Sequence, residues 1–266
     1  MHKKTIAIGI GLLLAIAVGC GEAQEAPRHE LTIVADGTGL EEVETNEGYR
    51  VELEAATMRF DSVEFTVGGE DHGDETASVL RPLRRAVIGE AIAHPNHSAG
   101  GEIGGAIEGP VVATWRSGEL EPMGTGEFLE GSYAGYNVRF GDDGGNDLAP
   151  GTMARLEGVA VDEEGDEVSF FAEFDHVDTA EVIGGALAFD AGDEELEEVG
   201  LRFLIHDEWS GRSLFDDVDF SRFDDGSEGR VEIEEGSSSH TLLRLGLLSH
   251  EFYGGRGLTS EESIED

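Results

Sequence analysis

The sequence predicts an all-β fold, an antiparallel β-sandwich of immunoglobulin-like or related type with one or two short helices. Short runs of alternating apolar and polar residues recur along the chain, as half-buried strands require. Acidic and glycine-containing turns separate these runs, and the 39 glycines of the chain suit turns and bulges. Together these patterns favour strands that pair with their neighbours along the chain.

Two segments carry the clearest strand signals. Residues 49–67 alternate with a change of phase near Met58, which predicts two strands or one bulged strand. Residues 153–161 and 168–174 form the clearest hairpin, because Gly165 in the turn between them can adopt a positive φ. Further strands are predicted at 31–35, 111–115, 131–140, 182–189, 199–206 and 229–234.

The connecting segments are less regular. Residues 77–93 are ambiguous and fit a helical turn that is broken by Pro82 and followed by a strand at 86–92. Residues 93–109 are predicted as a loop rich in glycine and histidine.

A short helix is predicted near the C-terminus. Serines at 237–239 precede its leucine-rich stretch, and serine hydroxyls cap helix starts. Leu242 and Leu245, with Leu248 or Ser249, would then share its apolar face.

The first twenty residues predict export from the cytoplasm. Lys3 and Lys4 precede an apolar run over 6–18, which at 13 residues is shorter than the ~20 that a membrane-spanning helix needs. The run ends in Ala17-Val18-Gly19-Cys20, which resembles a bacterial lipobox. In such a motif Cys20 is diacylated, cleaved from the signal and N-acylated. A plain secretory signal is the alternative.

This start sets the predicted domain organisation. Residues 1–19 form a lipoprotein signal peptide, 20–29 a lipidated tether, 30–256 a single sandwich domain and 257–266 a flexible tail. Gly21 follows the cysteine where inner-membrane lipoproteins carry aspartate, so the predicted location is the outer membrane, facing the periplasm or the surface.

The charge balance is strongly acidic. Lys3 and Lys4 are the only lysines, so the chain from Cys20 onward has 15 arginines against 58 acidic residues, a formal charge of −43. Such a surface repels nucleic acid and anionic lipid headgroups. It is typical of a halophilic protein, because high salt screens its self-repulsion, and the alternative interpretation is a surface that collects divalent cations.

The composition also excludes several enzyme classes. Without lysine, the processed chain cannot form a Schiff base or a Ser-Lys dyad. Because Cys20 is the only cysteine, thiol catalysis, disulfides and cysteine-ligated zinc are excluded as well. No G-x-S-x-G motif occurs. These exclusions favour a binding protein that is not an enzyme, and a hydrolase is the least supported alternative.

The most site-like group of residues is a set of histidines between two predicted strands. His94 and His97 lie three residues apart, and His72, Asp71 or Glu102 could complete a site. Imidazole and carboxylate ligands of this kind suit copper or zinc. The alternative is that these histidines are exposed and bind nothing.

Other polar clusters give weaker indications of a functional site. Residues 142–147 and 216–219 offer oxygen ligands for calcium, although neither has EF-hand spacing. Residues 206–209, His-Asp-Glu-Trp, fit a strand end with the tryptophan in the core or at an edge better than a second polar site. His240 and His250 flank the leucine-rich segment and fit helix-end histidines.

Several of these features together resemble a known group of proteins. They are the lipobox, the GYRVELEAATMRFDSVEFTVGG double strand, the AHPNHSAGGEIGG histidine loop and the LFDDVDFSRF stretch. Over residues 30–253 the chain resembles exported lipoproteins of the myxobacterial type and, more distantly, MbnP-like periplasmic β-proteins linked to copper handling. The resemblance implies a β-sandwich and copper at His94 and His97.

Three functional hypotheses follow. The first is a lipid-anchored protein of the cell envelope that binds copper or zinc through His94 and His97. The second is a non-enzymatic structural or protein-binding envelope lipoprotein with an envelope protein as partner and no metal. The third is a hydrolase.

Overall fold

The computed structural model describes residues 27–67, 101–143, 148–207, 209–223 and 229–259. These residues form fourteen strands and one α-helix, α1, which confirms the predicted all-β sandwich with a short helix. The strands are β1 (Arg28–Asp36), β2 (Val43–Glu44), β3 (Arg50–Val67), β4 (Glu102–Arg116), β5 (Leu120–Leu129), β6 (Ser132–Phe140), β7 (Thr152–Val161), β8 (Glu167–Asp175), β9 (Glu181–Asp190), β10 (Leu196–Phe203), β11 (His206–Asp207), β12 (Arg212–Ser213), β13 (Val231–Glu232) and β14 (Tyr253–Thr259). The helix α1 spans Ser238–Leu247, and 3-10 turns lie at Gly37–Gly39, Phe220–Arg222 and His250–Phe252.

Strand β3 is the centre of the architecture. It is one strand of 18 residues with a register shift between Phe60 and Ser62, so the alternating segment 49–67 is a single bulged strand. One edge of β3 pairs with β4, and the other pairs with β7 along its first half and with β6 along its second. A second register shift lies between Leu53 and Ala55 in the pairing with β7. Because each shift moves the following side chains to the opposite face, the buried positions change from Val51 and Leu53 to Met58 and Phe60, and then to Val63 and Phe65.

The strands form two layers around one core. One layer has the order β13-β8-β7-β3-β4, and the other has the order β5-β1-β10-β14. The layers are joined where Gly105 and Ala106 of β4 pair with β5. Between the layers, Trp115 of β4 is buried and donates a hydrogen bond of 2.7 Å to the carbonyl oxygen of Leu201 in β10. Strands β6 and β9 extend the sheet from the second half of β3.

The sheet is mixed, which corrects the prediction of a wholly antiparallel sandwich. Strand β1 pairs in parallel with β10, and β13 pairs in parallel with β8. Both pairs join segments that are far apart in the sequence. Local turn signals predict hairpins, but they carry no information on such distant partners.

Strand β5 and the first part of β4 are long stretches of strand that the sequence did not predict. Residues 102–109 of the predicted loop belong to β4, and β5 occupies a stretch that carried no strand prediction. The glycines in β4 mark close packing and not a turn, since a Cβ at Gly105 would lie 2.4 Å from the ring of Phe128.

The C-terminal part also differs from the prediction. The buried helix face is formed by His240, Leu243 and Leu247, while Leu245 is exposed. The predicted tail 257–266 begins inside β14, which runs to Thr259 and buries Leu258 completely. The remaining tail residues lie outside the described residues. At the other terminus, β1 begins at Arg28, within the predicted tether 20–29.

The nine residues of β1 define the two ends of the sandwich. At the Arg28 end, β1 pairs with Leu129, and at the Asp36 end it pairs with Leu120 and with Arg202 of β10. At ~3.3 Å per residue, these ends lie roughly 30 Å apart. The chain enters the sandwich at the Arg28 end, so this is the end closest to Cys20 along the chain.

Candidate functional site

The predicted metal ligands belong to a connection between two paired strands. Glu102 is the exposed first residue of β4 and lies opposite Val67, the last residue of β3. The segment 68–101 therefore leaves and rejoins the sheet at adjacent positions, at the Arg28 end. The three predicted histidine ligands and the predicted lipidation site lie outside the described residues: His72, His94, His97 and Cys20. Whether the histidines converge on Glu102 stays a prediction.

A depression lies next to Glu102 on the outer face of β4 and β5. Its volume is about 590 Å³, and small residues of β4, Gly104 to Ala106, line it. Ile103 also lines it and is 52% exposed. An ion pair of 3.2 Å between Arg28 and Glu127 lies along the same surface. The end of the sheet that carries Glu102 thus presents a concave surface with apolar and charged groups.

Tyr133 lies close to this depression and keeps its hydroxyl proton at neutral pH. Its ring stacks on Phe189 with centroids 4.7 Å apart, and its hydroxyl donates to the Leu129 carbonyl at 2.8 Å. Burial raises the pKa of Tyr133 to about 12. The hydroxyl therefore stays protonated and serves packing.

Within the described ranges, no three His, Cys, Asp or Glu side chains converge in a way that would hold a metal ion. Among the ligands predicted for copper or zinc, Glu102 is the one whose position is described. Of the two regions predicted for calcium, 216–219 is described in full and 142–147 only at residues 142 and 143. In both regions, local hydrogen bonds use the oxygen atoms.

The described part of the first calcium candidate, 142–147, is organised by a buried arginine. The guanidinium of Arg59 donates to the carbonyl oxygens of Asp142, Leu148, Ala149 and Thr152 at 2.5 to 3.2 Å. Carbonyl oxygens of this kind are calcium ligands elsewhere, but here they serve a cation of the protein itself. Residues 144–147 lie outside the described part.

The second calcium candidate, 216–219, is a network of hydrogen bonds with Asn46. Asp216 accepts from the Asn46 backbone N–H at 3.0 Å, and Asp217 accepts from the Asn46 side chain at 2.9 Å. The hydroxyl of Ser221 and the guanidinium of Arg222 lower the pKa of Asp219. These carboxylates fix the connection between β12 and the turn Phe220–Arg222, so they have a structural function.

The His206–Trp209 stretch forms the tip of a small hairpin, β11–β12. Asp207 accepts hydrogen bonds from the backbone N–H groups of Trp209 and Ser210, each at 3.0 Å. Burial by itself raises the pKa of Asp207, but the bonds from Ser210 and Trp209 and the nearby His206 lower it overall. Trp209 is 63% exposed, which corrects its predicted role as a core or edge plug.

His240 is a core residue. It is buried at the start of α1, stacks on Phe174 with centroids 4.7 Å apart, and its Nε2 lies 2.8 Å from the carbonyl oxygen of Glu173. A carbonyl can only accept, so Nε2 carries the proton. His240 therefore anchors the helix to β8 and is not a metal ligand.

Sequence reasoning missed a groove at the Asp36 end. Its volume is about 320 Å³, and it is lined by two chain segments, 38–44 and 202–206. More than 150 residues separate these segments in the sequence, and no short motif spans them. The only local signal is the run of acidic residues after Leu40.

In the described part of the chain, no helix is long and apolar enough to cross a bilayer. Comparisons with protein-family models, curated proteins and solved structures give no match to this chain. The functional argument therefore rests on the residues and their geometry.

Proposed function

We propose that this protein is a lipid-anchored binding protein of the bacterial cell envelope, which holds copper or zinc through His94 and His97. One observation carries the proposal: Val67 and Glu102 form a cross-strand pair, so the sheet holds the two ends of the histidine-bearing segment next to each other. A site on such a connection can vary its ligands without disturbing the sandwich.

Glu102 is the proposed ligand with a defined position. It is exposed at the first residue of β4, where the segment rejoins the sheet, and only four residues separate it from His97. A carboxylate at this point can complete a site in which His94 and His97 supply nitrogen ligands and His72 a further one.

The charge of the protein supports the same chemistry. A formal charge of −43 from Cys20 onward raises the local concentration of divalent cations at the surface. Acidic side chains alone do not select copper or zinc from calcium and magnesium, whereas imidazole nitrogen does. In this proposal the histidines select copper or zinc, and the acidic surface as a whole attracts divalent cations.

The lipid anchor is part of the proposal. Cys20 and Arg28 are eight positions apart, which allows a reach of at most ~30 Å. The Arg28 end, with the connection 68–101, would then lie closer to the membrane than the Asp36 end. Fatty-acid labelling of the full chain in its bacterial host tests the anchor: Cys20→Ala is expected to abolish incorporation, and incorporation that persists would exclude Cys20.

Calorimetry tests the metal site. The protein from Gly21 onward, without a tag, is titrated with copper or zinc, and we expect a dissociation constant below about 10 μM. His94→Ala/His97→Ala is expected to weaken binding at least about 100-fold, since it removes both nitrogen ligands.

His206→Ala is the matched control, because His206 is exposed and lies at the opposite end of the sandwich. Unchanged binding in the His94/His97 variant, or an equal loss in the control, would refute the proposed site.

A further inference from the structure

The groove at the Asp36 end has features of a binding site that is separate from the proposed metal site. Arg202, Leu204 and His206 line one side, at and beyond the end of β10, and residues 38–44 line the other. Val43 and Ile205 are buried beneath it, so its floor is apolar. The groove is about 320 Å³ in volume, a size that accepts a few residues of extended chain.

Arg202 provides a hydrogen-bond donor without an acceptor. Its Nε is buried and has no hydrogen-bond partner in the described part of the chain. The Nε atoms of Arg59 and Arg155 also lack a partner, but the guanidinium groups of these two arginines bind carbonyl or carboxylate oxygens through their other nitrogens. No side-chain hydrogen bond or ion pair joins Arg202 to another described residue, so a ligand that offers an acceptor would satisfy a guanidinium that the protein leaves unpaired.

The rim of the groove is acidic. Glu41, Glu42 and Glu44 are exposed and line it, and Glu42 forms an ion pair of 3.2 Å with Arg50. Glu41 and Glu44 form no ion pair with any described residue. Two carboxylates that line the same groove as Arg202 are thus available to bind a positive charge.

Trp209 lies three residues after His206, which lines the groove. Its indole is 63% exposed at the tip of the β11–β12 hairpin, and the turn that carries it is fixed by hydrogen bonds to Asp207. An exposed tryptophan on a preorganised turn is a common anchor in protein interfaces and binds cationic side chains through its ring face.

We infer that this groove binds an extended, basic segment of a partner polypeptide. A backbone carbonyl of the segment accepts from the guanidinium of Arg202, while its lysine or arginine side chains meet Glu41 and Glu44 and pack on Trp209. A small anion could satisfy Arg202 but would be repelled by the glutamates. A simple cation would pair with the glutamates and leave Arg202 unsatisfied. A basic peptide has both groups.

A synthetic peptide tests the inference. The protein from Gly21 onward is titrated by calorimetry with a capped nonapeptide of alternating arginine and serine. The buffer contains the lowest salt at which circular dichroism shows folded protein. Glu41→Gln/Glu42→Gln/Glu44→Gln is expected to weaken binding about 10-fold or more, and Arg202→Met or Trp209→Ala about 5-fold.

Two controls separate a specific site from the general charge of the protein. The first control, Glu194→Gln/Glu195→Gln/Glu197→Gln, makes the same charge change at the Arg28 end, where the β9–β10 connection leads into β10. It is expected to change the affinity for the peptide less than about 2-fold. Spermine, which has positive charge but no carbonyl groups, is expected to bind with the same affinity to the natural protein and to Arg202→Met.

Acrylamide quenching locates the peptide. Trp115 is buried and Trp209 is exposed, so protection from the quencher on peptide addition reports contact at Trp209. Absence of peptide binding, equal weakening by the two triple variants, or quenching unchanged by bound peptide would each overturn the inference. His94→Ala/His97→Ala is expected to bind the peptide normally, which keeps this test independent of the metal proposal.

Discussion

At the Asp36 end of the sandwich, the connections are held by carboxylates that accept hydrogen bonds. At the Arg28 end, small residues pack closely on aromatic rings. Asp36 is fully buried and accepts from Thr38 at 2.6 Å and from Arg256 at 3.1 Å. In contrast, Gly105 lies against the ring of Phe128, and a Cβ there would be 2.4 Å from it.

This difference shows two ways of preparing a surface for binding. Fixed turns at the Asp36 end hold Trp209 and the groove in a defined arrangement before any ligand arrives, which lowers the entropic cost of binding. Small residues at the Arg28 end instead leave a shallow depression beside Glu102. There the histidines proposed for the metal come from the connection 68–101, and strand β4 supplies Glu102 where that connection rejoins the sheet.

The largest expected effect concerns buried charge. Asp36→Ala removes the acceptor for Thr38 and Arg256, and we expect it to lower the free energy of unfolding by about 3 kcal/mol. Glu127→Ala removes an exposed ion pair at the Arg28 end, in which the side chains of Arg28 and Glu127 are 64% and 70% exposed, and should cost about 0.5 kcal/mol. Urea unfolding of both variants at one salt concentration measures the difference. Similar losses would show that the two ends are not stabilised differently.

A smaller effect is expected from added side-chain volume. Gly105→Ala forces the Phe128 ring to move, with an expected loss of about 2 kcal/mol. Gly118→Ala at the Asp36 end has open space around the new Cβ but sits at φ +75°, so the expected loss is about 1 kcal/mol from backbone strain. If Gly118→Ala proves the more destabilising in urea unfolding, packing does not dominate at the Arg28 end.

The smallest effect concerns pH. The pKa of Asp207 is lowered below its ordinary value of 3.8, so its stabilisation is present above pH 3.8 and is lost as pH falls through the folded-state pKa. Asp207→Asn is therefore expected to cost about 1 kcal/mol or less at pH 7 and to reduce the loss of stability on acidification.

Asp193→Asn is the matched change at the Arg28 end, where Asp193 accepts one backbone N–H, from Glu195 at 3.0 Å, against two for Asp207. Thermal unfolding between pH 7 and pH 3 compares the two variants. An acid dependence of Asp207→Asn as steep as that of the natural protein would contradict the assignment.

Features that depend on neighbouring residues were predictable from the sequence. The β7–β8 hairpin forms around Gly165, whose φ is +90°, and Ser237 caps α1 by accepting from the His240 backbone N–H at 3.1 Å. In both cases a few adjacent residues contain the whole signal, because a tight turn or a helix start is a local conformational preference.

The candidate sites were less predictable. Sequence spacing indicated His94, His97 and Glu102, and the structure adds that Glu102 lies opposite Val67. The groove was missed because Arg202 and Glu41 belong to distant parts of the chain. In a sequence with 58 acidic residues, a short acidic run has little value as a signal.

The sequence by itself determined the all-β class, the acidic composition and the absence of lysine and cysteine after Cys20, and it predicts export and lipidation at Cys20. These properties follow from composition, alternation and short motifs, which do not depend on how the chain folds back on itself. The parallel pairing of β1 with β10, the Trp115–Leu201 hydrogen bond and the carbonyl cage around Arg59 were decided only by the tertiary structure. Each requires a partner at least 80 residues away, and burial in a shared core is what brings such partners together.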